Sequence, residues 1–289
     1  MGNVLEITGL RKQFPGFLLD NVSFSIPKGT IMGLIGENGA GKSTTINLIL
    51  NELRADAGQI LLFGKDAIAH EKEVKARIAT IFDAPLLLEN LTAKEMGRIM
   101  GKVYPHWEQA TYESLCHRFE LPVNKVTSKL SRGTKVKLNF ALALATRPEL
   151  LILDEATAGL DPIVRDEVLD LLLDYLQYEN CSILFSTHIT SDLDKVADYI
   201  TYLHKGQVLF SKPKDELLYD YGIIRCGQKD FANIDKADIL SYRKHDFEYH
   251  VLVRNKSQMA RKYNNLVMDN TTLEAIMLLY GRGEQVWPA

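Results

Sequence analysis

The chain has 289 residues, 46% hydrophobic and 25% charged, with 34 Lys and Arg against 37 Asp and Glu. Those proportions exclude a collagen, a coiled-coil rod and a low-complexity tail, and at about 150 residues per domain they leave room for roughly two domains, each with a core of its own. A formal net charge of −3 gives no electrostatic reason to bind nucleic acid or an anionic membrane surface, so nucleic acid is not expected as a partner.

In chain order, the segment from Leu5 to Ser25 alternates apolar and polar residues on either side of Pro15–Gly16, which predicts antiparallel strands joined by a turn. Thr30–Ile35 is a continuous apolar run of the kind buried in parallel sheets, and it leads into a Gly-rich loop and a helix from Lys42 to about Glu52. Three further buried runs, Ile78–Phe82, Leu150–Leu153 and Ser182–Ser186, are spaced widely enough for helical crossovers, so a mostly parallel sheet is expected. From about Leu86 to Lys129 no strand pattern stands out, while Tyr112, Leu115 and Phe119 fall at helical spacing; a helical insertion over about residues 86–140 is expected. After Pro213 come short alternating segments, Gly222–Cys226 and Phe247–Val253, and a last helix in which Thr271 and Glu274 read as a capping box ahead of Leu273, Ile276, Met277 and Tyr280.

Cys116, Cys181 and Cys226 lie far apart, show no CxxC spacing and leave one over if two pair, which reads as free thiols in a reducing cytosol. The opening MGNVLEITGL has neither a basic stretch nor an apolar one, so no signal peptide is expected. Apolar runs such as Phe140–Ala145 fall far short of the roughly 20 residues that span a bilayer. If the chain serves a membrane, another polypeptide crosses it.

The sharpest chemical signal is Gly36-Glu37-Asn38-Gly39-Ala40-Gly41-Lys42-Ser43-Thr44, a G-x-x-x-x-G-K-[ST] phosphate loop between a buried strand and a helix. Glycines let the backbone N–H groups wrap a phosphate, and the helix N-terminus adds its positive end. Lys42 supplies a charge to the β- and γ-phosphates, and Ser43 a hydroxyl for Mg²⁺. Leu150–Leu153 ends in Asp154 and Glu155, carboxylates that a buried sheet tolerates only at its exit. Asp154 is expected to hold Mg²⁺, and Glu155, one residue further out, to polarise the water that attacks the γ-phosphate of ATP.

With these motifs in this order the chain resembles the ATP-binding subunits of ABC transporters from Leu5 to about Lys212. Leu130-Ser131-Arg132-Gly133-Thr134 stands where that family carries its signature, Ala158-Gly159-Leu160-Asp161 where it carries the D-loop, and His188 where it carries the switch histidine. The resemblance implies that Phe14 stacks on adenine, that Asp161 lies at the nucleotide, and that two ATPase subunits, as a homodimer or a heterodimer, stack head to tail so that Ser131 and Gly133 of one meet the ATP of the other. It also implies that Asp83, in place of the family's Gln, contacts Mg²⁺ or the attacking water, and that Pro85–Leu88 forms part of a groove for a membrane permease. The signature differs at Arg132 and Thr134. The expected fold is therefore an α/β P-loop NTPase core over residues 1–212, with an N-terminal antiparallel layer and a helical insertion, followed by a small α+β region over 213–289.

The function so implied is that of an ATPase subunit, peripheral on the cytoplasmic face of the membrane through a permease on a separate chain. The Ser-Arg-Gly signature and the Asp-for-Gln loop resemble those of Gram-positive exporter ATPases, including those for antimicrobial or cytolytic peptides. Two alternatives stand beside it: a nucleotide-sensing module with little turnover, motivated by Asp83 and Arg132, and a soluble non-transport ABC ATPase. The latter commonly carries two cassettes or a long coiled coil, and neither pattern is in this sequence.

Overall fold

The computed structural model describes residues 2–84, 87–178 and 181–285. The chain forms two compact units, Met1–Ala197 with Leu203–Leu209, and Asp198–Tyr202 with Phe210–Ala289.

The first unit opens with the strands β1 (Asn3–Phe14) and β2 (Phe17–Pro27), an antiparallel hairpin in which Phe14 faces Phe17 across the Pro15–Gly16 turn. Next comes β3 (Ile31–Ile35), every residue of it buried, and then α1 (Lys42–Ile49). The strands β4 (Ala57–Leu62) and β5 (Lys65–Asp66) return to the hairpin and complete an antiparallel sheet of order β2-β1-β4-β5. The short helix α2 (Glu71–Lys75) precedes β6 (Ile78–Phe82).

The helical insertion follows, with α3 (Ala93–Val103) and α4 (Gln109–Arg118) leading to α5 (Arg132–Leu144). Thr92 starts α3 with a capping box, its side chain accepting from the Glu95 backbone N–H while Glu95 accepts from that of Thr92. Apart from the bridge between Thr92 and Val126, no strand is found between residues 87 and 129 among the described residues. The chain then re-enters the sheet as β7 (Leu150–Asp154), crosses over through α6 (Pro162–Tyr178), and forms β8 (Ser182–Thr187) before α7 (Thr190–Val196).

Strands β6, β7, β8 and β3 pair in parallel, Asp154 standing opposite Phe82 on one side and Ser186 on the other. The parallel sheet expected from the apolar runs is thus formed by those runs. Its central strands are buried on both faces, as Leu150–Leu153 and Ile183–Phe185 show. Truncating any of these leucines or isoleucines to alanine would cost about 2–5 kcal/mol. Such a slab holds its strand ends still, and Asp83, Asp154, Glu155 and His188 sit at one of those ends or just beyond it.

β9 (Tyr199–His204) and β10 (Gln207–Pro213) come next. The second unit continues with α8 (Lys214–Tyr219), β11 (Tyr221–Cys226), α9 (Gln228–Phe231), β12 (Ser241–His245), β13 (Glu248–Arg254), α10 (Lys256–Lys262), β14 (Val267–Asn270), α11 (Leu273–Arg282) and β15 (Glu284–Gln285). Its sheet has the order β14-β11-β13-β12-β15, and Ile224, Val251, Val253 and Met259 form a core on it. Here the structure corrects the sequence reading by one residue. Thr272 caps α11, accepting from the Ala275 N–H at 3.1 Å, whereas Thr271 is buried and donates its hydroxyl to the Leu217 carbonyl at 2.9 Å. No helix of the described residues is long and apolar enough to cross a membrane.

Candidate nucleotide site

Strand β3 delivers the chain to a tight loop whose last residue, Gly41, caps α1 with φ +110. A Cβ there would lie 2.8 Å from Leu19 Cδ1 and 3.0 Å from Phe17 Cζ, so both the dihedral and the space require glycine. No side chain of the described residues caps α1, which leaves its first N–H groups for an anionic ligand. Lys42 is only 6% exposed, and its Nζ donates to the Gly36 carbonyl at 2.8 Å and the Glu37 carbonyl at 3.4 Å and lies 3.3 Å from Glu155 Oε1. An ammonium this buried is stable because a carboxylate and two carbonyls surround it.

The carboxylates at the end of β7 are both set by one residue of β8. Asp154 Oδ1 accepts from Ser186 Oγ at 2.8 Å, and the Glu155 N–H donates to the Ser186 carbonyl at 2.9 Å. Glu155 is held at φ +53, a left-handed conformation costing a non-glycine residue about 1–3 kcal/mol and typical of functional positions. Its side chain reaches Lys42 with Oε1 and His188 Nδ1 with Oε2, the latter at 2.7 Å. Because a carboxylate only accepts, Nδ1 of the half-exposed ring carries the proton in this contact. Behind them Thr157 Oγ1 donates to Asp192 Oδ2 at 2.8 Å, both residues being buried. Burial pushes the Asp192 carboxyl above its ordinary range, against the opposing pull of the Thr157 bond and of Arg165.

One open cleft is lined by Asn38, Gly39, Gly41, Lys42, Ser43 and Thr44 of the loop together with Asp83, Glu155 and His188. Gly36 and Ala40 are buried beneath it, and Glu37 is exposed at the loop's start. Phe17 lines this cleft; Phe14 is its partner across the hairpin turn, with Lys12 Nζ 5.7 Å from its ring centroid, and is not one of the lining residues. Ser131, Gly133 and Asp161 also stand outside it. Ser131 caps α5, accepting from the Thr134 N–H at 3.2 Å, and Asp161 starts α6 by accepting from the N–H groups of Ile163 and Val164 at 3.1 Å. Asp83 Oδ1 lies 2.5 Å from Arg132 Nη2. Of the Pro85–Leu88 groove expected from the resemblance, Pro85 and Leu86 fall outside the described residues, and Leu88 is exposed.

The exposed Ser43 hydroxyl and the half-buried Asp154 carboxylate are hard oxygen donors. Among the described residues no group of three or more His, Cys, Asp or Glu side chains is arranged to hold a metal. Mg²⁺ held through one or two protein oxygens and the phosphates of its nucleotide needs no such group, so the donor set fits that ion.

Sequence reasoning did not find Ser186, Thr157, Asp192 or Phe17. For two of them a signal existed. Aligning the two apolar runs in parallel puts Ser186 beside Asp154, and a two-residue turn at Pro15–Gly16 puts Phe17 opposite Phe14.

Residues 19–158 match the ABC transporter family model. The bacitracin transport ATP-binding protein BcrA of Bacillus licheniformis is 32% identical over 280 residues, covering 93% of this chain and 91% of that one. The lantibiotic transport ATP-binding protein SrtF of Streptococcus pyogenes is 31% identical over 215 residues, 73% of this chain and 92% of that one. Among solved structures, an ATP-binding subunit of an ABC transporter superposes with a TM-score of 0.68 at 29% identity, over 74% of this chain and 91% of that chain. An ATP-binding cassette in its ADP conformation, 24% identical with a TM-score of 0.64 over 75% of this chain and 93% of its own, shares the fold. A relative aligned over nine-tenths of both chains extends the likeness well past the phosphate loop and its carboxylates, and on that ground the chain belongs to the ABC transporter family, as an ATP-binding subunit whose ATPase activity drives a membrane permease.

Proposed function

We propose that this subunit binds Mg-ATP in the cleft above α1, that two copies close head to tail on the nucleotide, and that hydrolysis lets them part and moves a permease that exports peptides or other amphipathic compounds. The observation that carries the reading is the convergence of Glu155, His188 and the buried Lys42 on one cleft floored by the phosphate loop. Lys42 and the loop N–H groups from Gly36 to Thr44 take the phosphates, and adenine stacks on the hairpin tip, on Phe14 or on Phe17, of which Phe17 lines the cleft. Glu155 orients and deprotonates the attacking water, while His188 holds the Glu155 carboxylate in place and offers Nε2 toward the γ-phosphate side. Ser43 and Asp154, with Asp83 nearby, would hold Mg²⁺, which would supply charge neutralisation on the phosphates.

Ser131 is exposed at the N-terminus of α5 and Gly133 is partly so, where a second copy's γ-phosphate can reach them; Asp161 sits at the start of α6 on the same interface. Closure is favoured only while the γ-phosphate is present, so its loss removes the differential affinity that holds the pair together. The names of two relatives, for bacitracin and for lantibiotic transport, support cargo of this kind. The subunit then works on the cytoplasmic face of the membrane, and residues 213–289 form its accessory region.

The test is steady-state phosphate release with Mg-ATP, together with gel filtration with and without ATP and co-purification of the permease. Wild-type protein is expected to turn over and to dimerise with ATP; Lys42→Ala is expected to do neither. Turnover by Lys42→Ala at the wild-type rate would overturn the assignment.

A further inference from the structure

The two charged side chains that set this chain apart from the pattern it resembles meet each other. Asp83, just beyond the end of β6, lines the cleft that also contains Lys42 and Glu155. Arg132, the first residue of α5, places Nη2 2.5 Å from Asp83 Oδ1 and donates from it to the Ala158 carbonyl at 2.9 Å. The guanidinium also lies over Gly159, whose φ is +68; a Cβ there would come within 2.9 Å of Nη1. One side chain therefore joins the end of β6, the start of α5 and the segment that follows Glu155.

A bare carboxylate lining a triphosphate site opposes the anion it must admit, and more strongly the more phosphates are bound. An arginine beside it keeps its charge at every physiological pH. Both side chains are more than half exposed, so solvent screens their attraction and the pair adds little to folding. Its consequence falls on the ligand. Resting on the reading of the cleft as the ATP site, we propose that Arg132 is a positioning residue acting through Asp83: it cancels the Asp83 charge and pins that carboxylate against Ala158, so that the cleft accepts the γ-phosphate.

The experiment is equilibrium binding of Mg-ATP and of Mg-ADP, by displacement of a fluorescent nucleotide, to the full chain as wild type, Arg132→Gln, Arg132→Lys, Asp83→Asn and the Arg132→Gln/Asp83→Asn double variant. Unfolding midpoints are read without nucleotide. Arg132→Gln is expected to weaken ATP binding about tenfold and ADP binding about twofold or less, since the γ-phosphate carries the extra charge. Arg132→Lys is expected to retain the wild-type preference for ATP over ADP. In the double variant the loss should vanish, with ATP bound within about twofold of Asp83→Asn alone, because no charge remains to be cancelled.

A merely structural arginine would lower ATP and ADP affinity equally and depress the unfolding midpoint, and that result overturns the proposal. So does a double variant that keeps the whole loss, or an Arg132→Gln protein that binds ATP like the wild type. Wild-type protein that binds neither nucleotide would instead bring down the reading of the site itself, and this proposal with it.

Discussion

Replacing Glu155 by Gln separates the chemical role of this residue from its structural one. The glutamine has the same shape, and its amide oxygen can stay 3.3 Å from Lys42 Nζ while its NH₂ turns toward His188 Nδ1, which then adopts the tautomer that accepts. The neighbours thus keep their hydrogen bonds, but the buried Lys42 ammonium loses its carboxylate, which costs the nucleotide-free fold up to about 3–5 kcal/mol until bound phosphate supplies a counter-charge. The reaction loses its base. Removing a positioned general base costs about 10²–10⁴ in rate, which at about 1.36 kcal/mol per tenfold raises the barrier by about 3–5 kcal/mol. The two losses are similar in size but fall on different observables, the structural one on the nucleotide-free unfolding midpoint and the chemical one on turnover, so the variant is expected to bind ATP within about threefold of wild type, turn over at least about a hundredfold more slowly, and remain dimeric in ATP. Phosphate release at saturating Mg-ATP, nucleotide binding and gel filtration in ATP measure these three quantities, and the unfolding midpoint the structural loss, on one preparation. A folded, ATP-binding Glu155→Gln protein whose turnover falls by less than about threefold would refute the argument.

Other consequences can be checked on the same protein. Burial raises the Asp192 carboxyl, so the folded state binds its proton more tightly than the unfolded one, and stability falls as pH rises from the unfolded value, about 3.9, through the folded one. Asp192→Asn keeps an acceptor for Thr157 and should gain on the wild type over that rise; midpoints at acid and neutral pH that change in parallel would count against it. The Arg77 fork, with Nε and Nη2 2.6 and 2.7 Å from the two Glu149 oxygens, holds the Glu149 carboxyl below its ordinary range. That contribution is complete above the unfolded value of about 4.3 and is lost as pH falls through the folded one. Since Glu149 is 40% exposed, Glu149→Gln is expected to cost about 1 kcal/mol or less at pH 7 and to show a smaller loss on acidification, read by denaturant titration. Burial also pushes the Cys116 thiol up and that of Cys226 to about 11, and Cys181 is buried as well. An aromatic disulfide reagent at pH 8 should find no fast thiol in the native protein and three after denaturation; one fast native thiol contradicts this.

How far the sequence carried depended on whether a residue's role is local. Ile78–Phe82 and Ser182–Ser186 announce themselves because strands buried on both faces must be apolar throughout, and those runs become β6 and β8 with at most one residue of difference. β4 escaped notice because its first three residues, Ala57 to Gln59, are exposed and break the alternation. The cap of α11 was misplaced because Thr271 and Thr272 are chemically alike, and only tertiary contact with Leu217 decides which of them faces the helix. The phosphate loop, Asp154 and Glu155 were legible because strand, loop and helix follow one another without a break. The bond from Arg132 to Asp83 joins positions 49 residues apart, and the Thr157–Asp192 bond spans 35; no pattern along the chain encodes either, because both arise when crossovers return distant segments to the same sheet edge.

Ser186 grips both acidic residues at once, the side chain of Asp154 through its hydroxyl and the main chain of Glu155 through its carbonyl. The Asp154 side chain and the Glu155 main chain are therefore geared: a twist at the tip of β8 bears on both. His188, two residues further along the same strand exit, rides on that gear. Whatever tugs at this histidine from outside reaches both acids together, as a lever with a single fulcrum.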